Sequence, residues 1–173
     1  VHELTLNDCR EWSGALLIPY PAGRGAGMGW DIGALLGLPA GRWDLVCASI
    51  IGVALSSAFI ASLHEGVERY YLTGTVARIP LVRQLLEKLL PGETIWCPED
   101  PTPRGAAILA LASLGLTEPW RVEGPECMDP VKGAGEVRTL KEPLDELYAS
   151  NPKQGELEDI LEPIRETIYS LLM

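Results

Sequence analysis

Two glycine-bearing turns carry the residue types most able to bind an anionic ligand. The first spans Gly23–Gly33 after a predicted strand, where a phosphate-binding loop must be considered. It fits neither GxGxxG nor GxxxxGK[ST], because Met28 and Trp30 stand where glycines are needed, and Arg24 is its only cation. A flexible surface loop is therefore favoured over a phosphate site.

The second turn, Thr73–Pro80, reads TGTVARIP and lies between a predicted strand and a predicted helix. Such a turn places backbone N–H groups at the carboxyl end of a sheet, where α/β proteins bind nucleotides. Taken alone, an ordinary strand-to-helix turn is favoured over a binding site.

Other polar residues are expected to have structural roles. His64 and Glu65 end a helix, and no nucleophile accompanies them, so a solvated helix terminus is favoured over an acid–base pair. Glu99 and Asp100 precede a predicted helix, where capping is expected. The four cysteines form no CxxC pair, which argues against zinc and predicts unpaired, buried thiols in a cytoplasmic protein: Cys9, Cys47, Cys97 and Cys127.

Composition narrows the class of protein. The 173 residues are 47% hydrophobic and 22% charged, which is typical of one globular unit. The formal net charge of -10 lacks the basic footprint of a nucleic-acid-binding protein, so no nucleic-acid partner is expected. No N-terminal signal pattern is seen, and the start at Val1 suggests a piece of a longer chain.

Apolar patterning predicts alternating strands and helices, and hence an α/β class with helices packed on a mixed sheet. The predicted strands are 15–19, 32–38, 69–73 and 93–97, and the predicted helices are 43–63, 80–90, 103–114, 140–149 and 157–172. The uncharged run 45–63 is long enough to cross a membrane. Its many small residues and the lack of flanking cations favour a buried helix, so no membrane partner is expected.

Charge divides the chain at about residue 117. Residues 118–173 contain 13 acidic and 6 basic residues, and so hold most of the negative charge. We expect residues 1–117 to form one unit and residues 118–173 to form an acidic helical extension that packs on it.

Four segments together resemble the FGGY family of carbohydrate kinases. GALLIPYPAGR followed by IGALLGL resembles that family's FLPYLxGER…RGAFxGL stretch. LTGTVARIPLVRQLLEKLL is similar to its LTGGGARSPLWRQ nucleotide motif, and RGAAILALASLG to its LGAAxLAxxxxG helix. The acidic tail after Asn151-Pro152 resembles its C-terminal helices. The order of these segments matches over about Gly14 to the end.

The resemblance implies the later part of the C-terminal domain of such a kinase, an RNase H-like domain of the actin-like ATPase superfamily. The family transfers the γ-phosphoryl group of ATP, with Mg²⁺, to a hydroxyl of a sugar or polyol. It also implies nucleotide-binding residues at Gly74, Thr75, Val76, Ala77, Arg78, Gly105 and Ala106. No catalytic residue of the family matches a position in this chain, so the isolated chain is expected to be inactive.

The sequence departs from the family's nucleotide turn at two positions. Gly74 is kept, but Thr75 and Val76 stand where the family has glycines that permit positive φ and close backbone approach. We therefore expect weakened or altered ATP binding. Catalysis would need the missing N-terminal portion or a partner subunit, and a homo-oligomer is also compatible with the sequence. The alternative is a degenerate, non-catalytic module for assembly or regulation.

Overall fold

The computed structural model describes residues 3–18, 34–64, 66–116, 118, 126–149 and 154–173. The strands within these ranges are β1 (Leu16–Ile18), β2 (Ala34–Leu36), β3 (Arg69–Leu72), β4 (Glu93–Trp96) and β5 (Val131–Lys132). The helices are α1 (Arg42–Ser62), α2 (Gly74–Ala77), α3 (Pro80–Leu89), α4 (Pro101–Ser113), α5 (Lys141–Ala149) and α6 (Gln154–Leu172), with short 3-10 helices at Leu6–Cys9 and Glu136–Arg138.

The strands form two small sheets. β1 and β2 pair antiparallel, whereas β3 and β4 pair parallel and β5 joins β4 antiparallel. The parallel pair is connected through α3, as in a strand–helix–strand unit. The chain is therefore a mixed α/β protein whose sheets are small. The predicted strands 69–73 and 93–97 are confirmed.

Helix α1 is the centre of the core, as the small residues of the run 45–63 predict. It packs against β1, α3 and α5, and Ala48, Ile51, Ala54 and Ala58 are fully buried. Small side chains allow this close approach on several sides. α1 has a mean hydropathy of 2.1 and the length to cross a membrane, yet half of its apolar window is buried inside the chain.

The apolar stripes of α3, α5 and α6 join the same hydrophobic cluster. Leu81, Leu85 and Leu89 of α3 are completely buried, as are Leu161, Ile164 and Ile168 of α6. Their spacing of three and four residues is the helical period that predicted these elements. Residues from both sides of position 117 thus share one core.

Helix α4 departs from the prediction that the helices pack on a sheet. None of its residues is buried, and Leu109 is 67% exposed. Further apolar side chains of α4 and of the turn that follows are exposed: Leu111, Leu114 and Leu116. The residues of α4 are apolar on most sides of the helix. The spacing of its apolar residues therefore does not predict which face packs against the rest of the protein.

The expectation of unpaired cysteines is wrong. Cys9 is bonded to Cys47 and Cys97 to Cys127, at sequence separations of 38 and 30 residues. The first bond joins the 3-10 helix at Leu6–Cys9 to α1, and the second joins the end of β4 to the segment before β5. Distant cysteines leave no local pattern, so spacing could not identify either pair.

Some sequence expectations lie outside the described residues. They include the whole glycine-rich loop 23–33, Glu65, and the Asn151-Pro152 step.

Candidate functional site

The two predicted nucleotide-binding segments begin at the same edge of the parallel pair. Leu72 and Trp96 are register partners at the carboxyl ends of β3 and β4, and the N–H of Cys97 donates to the carbonyl of Leu72 over 2.9 Å. The Gly74 turn follows β3 and the start of α4 follows β4. This edge is where ligands bind in many open α/β sheets.

The Gly74 turn has a geometry that the sequence predicted only in part. Gly74 has a φ of +83°, and a Cβ there would meet no heavy atom within 4 Å. Thr75 and Val76 belong to the single helical turn α2 and do not have positive φ. Both side chains are exposed, and Ala77 is buried beneath them. Only Gly74 therefore uses the conformational freedom of glycine at this turn.

Free hydrogen-bond donors lie at the start of this turn. The N–H groups of Gly74, Thr75 and Val76 donate to no residue within the described ranges. The first N–H groups of a helix have no partner inside the helix. These three donors can therefore bind an external acceptor.

The starts of the two neighbouring helices, α3 and α4, do not offer such donors. The N–H of Leu81 donates to the carbonyl of Leu4 over 2.7 Å, and Pro80 has no N–H. At the start of α4, the N–H of Thr102 donates to Asp100 over 3.0 Å. Pro101 and Pro103 have no N–H. An anion that binds at this edge would therefore accept hydrogen bonds from the free N–H groups of the α2 turn.

Arg78 links the two segments. Its Nη2 lies 3.5 Å from the carbonyl oxygen of Pro98, just before α4. The pKa of Asp100 lies below its usual value because Thr102 donates to the carboxylate from its backbone, with a smaller contribution from the positive charge of Arg78. Asp100 caps α4, as predicted. Its negative charge opposes phosphate binding at the start of that helix.

Gly105 and Ala106 lie further along α4. Gly105 is half-buried and Ala106 is exposed, and a Cβ at Gly105 would meet nothing within 4 Å. Both positions are accessible to a ligand or to a covering chain.

Arg83, which belongs to the matched nucleotide motif, contacts Trp96, which lies outside that motif. The Arg83 guanidinium lies 3.9 Å from the centre of a Trp96 ring and donates from Nη1 to the carbonyl of Ala77 over 2.8 Å. It thereby braces the end of α2 against β4. The buried Nε1–H of Trp96 has no hydrogen-bond partner in the described part of the chain. A buried donor of this kind is uncommon in proteins.

A second concavity lies at the opposite, amino-terminal edge of β3 and β4. It has a volume of about 850 Å³ and is lined by residues including His64, Arg69 and Lys132. No sequence motif indicates it, because its lining comes from five separate segments of the chain.

No family model, curated protein or solved structure matches this chain.

The Gly74 turn has features that a nucleotide could use, whereas no three-residue metal cluster lies among the described residues. The open space beside Gly74 and the free N–H groups of α2 suit a nucleotide that approaches along the backbone. Among the described residues, no group of three or more His, Cys, Asp and Glu side chains could hold a metal ion.

Proposed function

We propose that this chain is the nucleotide-binding, C-terminal part of an FGGY-type carbohydrate kinase with an RNase H-like fold. The observation that carries the proposal is the exposed α2 turn with its three free N–H donors at the carboxyl edge of the β3–β4 pair. ATP is the nucleotide expected there, and a sugar or polyol is the substrate of the complete enzyme.

Gly74–Arg78 form the contact surface in this proposal. The empty space beside Gly74 lets the adenosine moiety approach the backbone, and the N–H groups of α2 face polar atoms of the nucleotide. Arg78 adds a positive charge near the end of the turn. Gly105 and Ala106 border the site from α4.

The altered turn weakens binding in this proposal. Thr75 and Val76 place β-branched side chains at two positions of the turn where the FGGY family has glycine. Val76 is 49% exposed, so its side chain occupies space that a ligand would need. Weak nucleotide affinity is the expected result.

In this proposal the base for the substrate hydroxyl and the sugar-binding site belong to the part of the kinase that precedes the matched segments. Phosphoryl transfer depends on positioning, charge stabilisation and such a base. The missing N-terminal kinase portion, or a partner subunit, would provide them together with Mg²⁺ ligands. We expect no turnover of pentoses, hexoses or glycerol with Mg-ATP by the isolated chain in a coupled assay.

Calorimetric titration with ADP tests the site itself. The variant Thr75→Gly/Val76→Gly removes both branched side chains and should bind ADP more tightly than the parent chain. Each glycine also costs about 0.5–1 kcal/mol of stability through backbone entropy. Affinity should therefore rise while the melting temperature falls.

The matched control is Ser170→Gly, an exposed position of α6 far along the chain from this turn. It should lower stability without changing ADP affinity. If neither the parent nor the double-glycine variant binds ADP, the proposed weakened nucleotide site is rejected. Equal ADP affinity in the two would reject it as well.

That result would favour the second candidate, a non-catalytic assembly or regulatory module. The observation in its favour is α4, whose 13 residues include no buried side chain. An apolar helix of this exposure is typical of a surface that another chain covers. The missing kinase portion, a partner subunit or a second copy of this chain are the candidate partners.

The proposed location is the cytoplasm. The two disulfide bonds oppose it, because structural disulfides are rare in the reducing cytosol of most cells. Thiol titration of the protein isolated under conditions that block exchange would decide between a cytoplasmic and an oxidising compartment.

A further inference from the structure

The groove at the amino-terminal edge of β3 and β4 has a charge unlike that of the whole chain. Four cationic side chains line it: Arg69, Lys132, Arg138 and Lys141. Glu68 and Glu93 are its two anionic side chains, so the lining has a formal excess of two positive charges. The protein as a whole has a net charge of -10.

The sheet register places three of these charges in one row. Arg69 pairs with Glu93 across β3 and β4, and Glu93 pairs with Lys132 across β4 and β5. Register partners project from the same face of a sheet, so the three side chains share the groove face. Arg69 Nε donates to Glu93 over 3.0 Å, and Glu93 thereby balances Arg69.

The remaining cations are not balanced in this way. Lys132, Arg138 and Lys141 form no ion pair with a carboxylate in the part of the chain that the structure describes. They come from β5, from the 3-10 helix Glu136–Arg138 and from the first residue of α5. Three separate segments thus bring unneutralised positive charge to one concave surface.

The groove has the size and the floor of a small-molecule site. Its volume of about 850 Å³ lies within the range of pockets that hold drug-sized ligands. Tyr70 and the buried Val137 line it beside the cations. Gly92 keeps the floor close-packed, because a Cβ there would lie 2.5 Å from the carbonyl oxygen of Glu68.

From this arrangement we propose that the groove binds a soluble small molecule bearing phosphate groups, at Lys132, Arg138 and Lys141. Ammonium and guanidinium groups are the side chains that pair with phosphate oxygens in proteins. The site is distinct from the Gly74 turn, which lies at the opposite edge of the same strands. The proposal does not depend on kinase ancestry.

Calorimetric titration with inorganic pyrophosphate at low ionic strength tests this proposal. The parent chain should bind pyrophosphate, and added salt should weaken the binding. Lys132→Gln and Lys141→Gln should each weaken it about fivefold, and the double variant by about tenfold or more. Thermal melts of each variant check that the fold is retained.

Arg10→Gln is the matched control, because it removes one positive charge from an exposed residue outside the groove lining. It should bind pyrophosphate as the parent chain does. Equal losses in Arg10→Gln and the lysine variants would overturn the proposal, since net charge alone would then explain the binding. No pyrophosphate binding by the parent chain would also overturn it.

Two further measurements separate this site from other sources of phosphate. Arg78→Ala tests the Gly74 turn as the rival site for pyrophosphate, and binding that is weakened only in the lysine variants supports the groove. A loss in Arg78→Ala, with none in the lysine variants, would assign the binding to the Gly74 turn and reject the groove. The chain is also sedimented with phosphatidylserine vesicles. If it binds these vesicles but does not bind pyrophosphate, the proposal of a soluble ligand is rejected.

Discussion

Tyr148 shows how a single polar side chain is satisfied inside the core. It is 2% exposed and stacks on Phe59 with ring centres 4.8 Å apart. Its hydroxyl lies 2.7 Å from Oγ of Ser56, which itself donates to the carbonyl of Gly52. Because serine has only one hydroxyl proton, Tyr148 is the donor between the two.

This arrangement makes stability sensitive to alkaline pH. Burial raises the pKa of Tyr148 to about 12, although the hydrogen bond with Ser56 opposes the rise. A pKa raised on folding contributes stability that is complete below the unfolded value near 10 and declines as pH rises toward the folded value. The free energy of unfolding should therefore fall between about pH 10 and pH 12.

Tyr148→Phe should remove much of that decline and cost about 1 kcal/mol at neutral pH through the lost hydrogen bond. Urea unfolding at a series of pH values measures both effects. Tyr71→Phe, at a residue that is 60% exposed, is the control. An alkaline decline of the same size in Tyr148→Phe and the parent chain would contradict the assignment.

The start and the middle of helix α1 are held by different interactions. Near its start, Asp44 accepts hydrogen bonds from the N–H groups of Ser13 and Ala40. Partial burial alone would raise the pKa of Asp44, but hydrogen bonds from Ser13 and Ala40 outweigh it and hold the pKa below its usual value. The carboxylate thus ties the segments before β1 and α1 to the helix.

The middle of α1 depends on small side chains. Gly52 is buried, and Gly52→Leu should force apart the elements around it at a cost of about 1–3 kcal/mol. Ser57→Leu is the matched control, since Ser57 is exposed on the same helix and should tolerate the larger side chain. Chemical denaturation compares the two. Equal stability of Gly52→Leu and the parent would show that this face of α1 is not packed.

A disulfide bond holds the N-terminal segment of the molecule to the central helix α1. Cys9 and Cys47 are almost completely buried, and their bond closes a loop over 38 residues. Cross-linking such a loop reduces the freedom of the unfolded chain, which is typically worth about 2–4 kcal/mol. Cys9→Ala/Cys47→Ala should therefore lose stability by about this amount.

Urea unfolding of the double alanine variant, with the Cys97–Cys127 bond intact, measures the effect. Thiol counting on the denatured, unreduced parent chain is the control, and it should detect no free thiol. Four free thiols in that experiment would contradict both bonds.

The segments of regular structure follow from local patterns that the sequence carries by itself. Apolar residues three and four apart predict α3 and α6. The β-prone aromatic run that ends at Gly74 predicts β3, and the short run after Pro91-Gly92 predicts β4. Pro103 and the preceding acid Asp100 predict the start of α4 to within two residues, since the helix begins at Pro101. These patterns act within a few residues, so no knowledge of the fold is needed to detect them.

Tertiary structure decided the features that join distant residues. The sequence placed Gly74–Arg78 and α4 after two strands, but only the parallel pairing of β3 and β4 brings Arg78 to the carbonyl of Pro98. Likewise, the carbonyl of Leu4 accepts a hydrogen bond from the N–H of Leu81 at the start of α3, although no motif connects these two segments.

Local patterns in the sequence are thus sufficient to predict an acidic α/β chain with a buried small-residue helix and a glycine turn at a strand end. The fold alone decided which cysteines pair, which apolar helix remains exposed, and where the positive charges collect. The physical reason is that secondary structure depends on neighbours along the chain. Disulfide pairing, burial and the local electric field depend on neighbours in space, which are set by how all the helices and strands pack together.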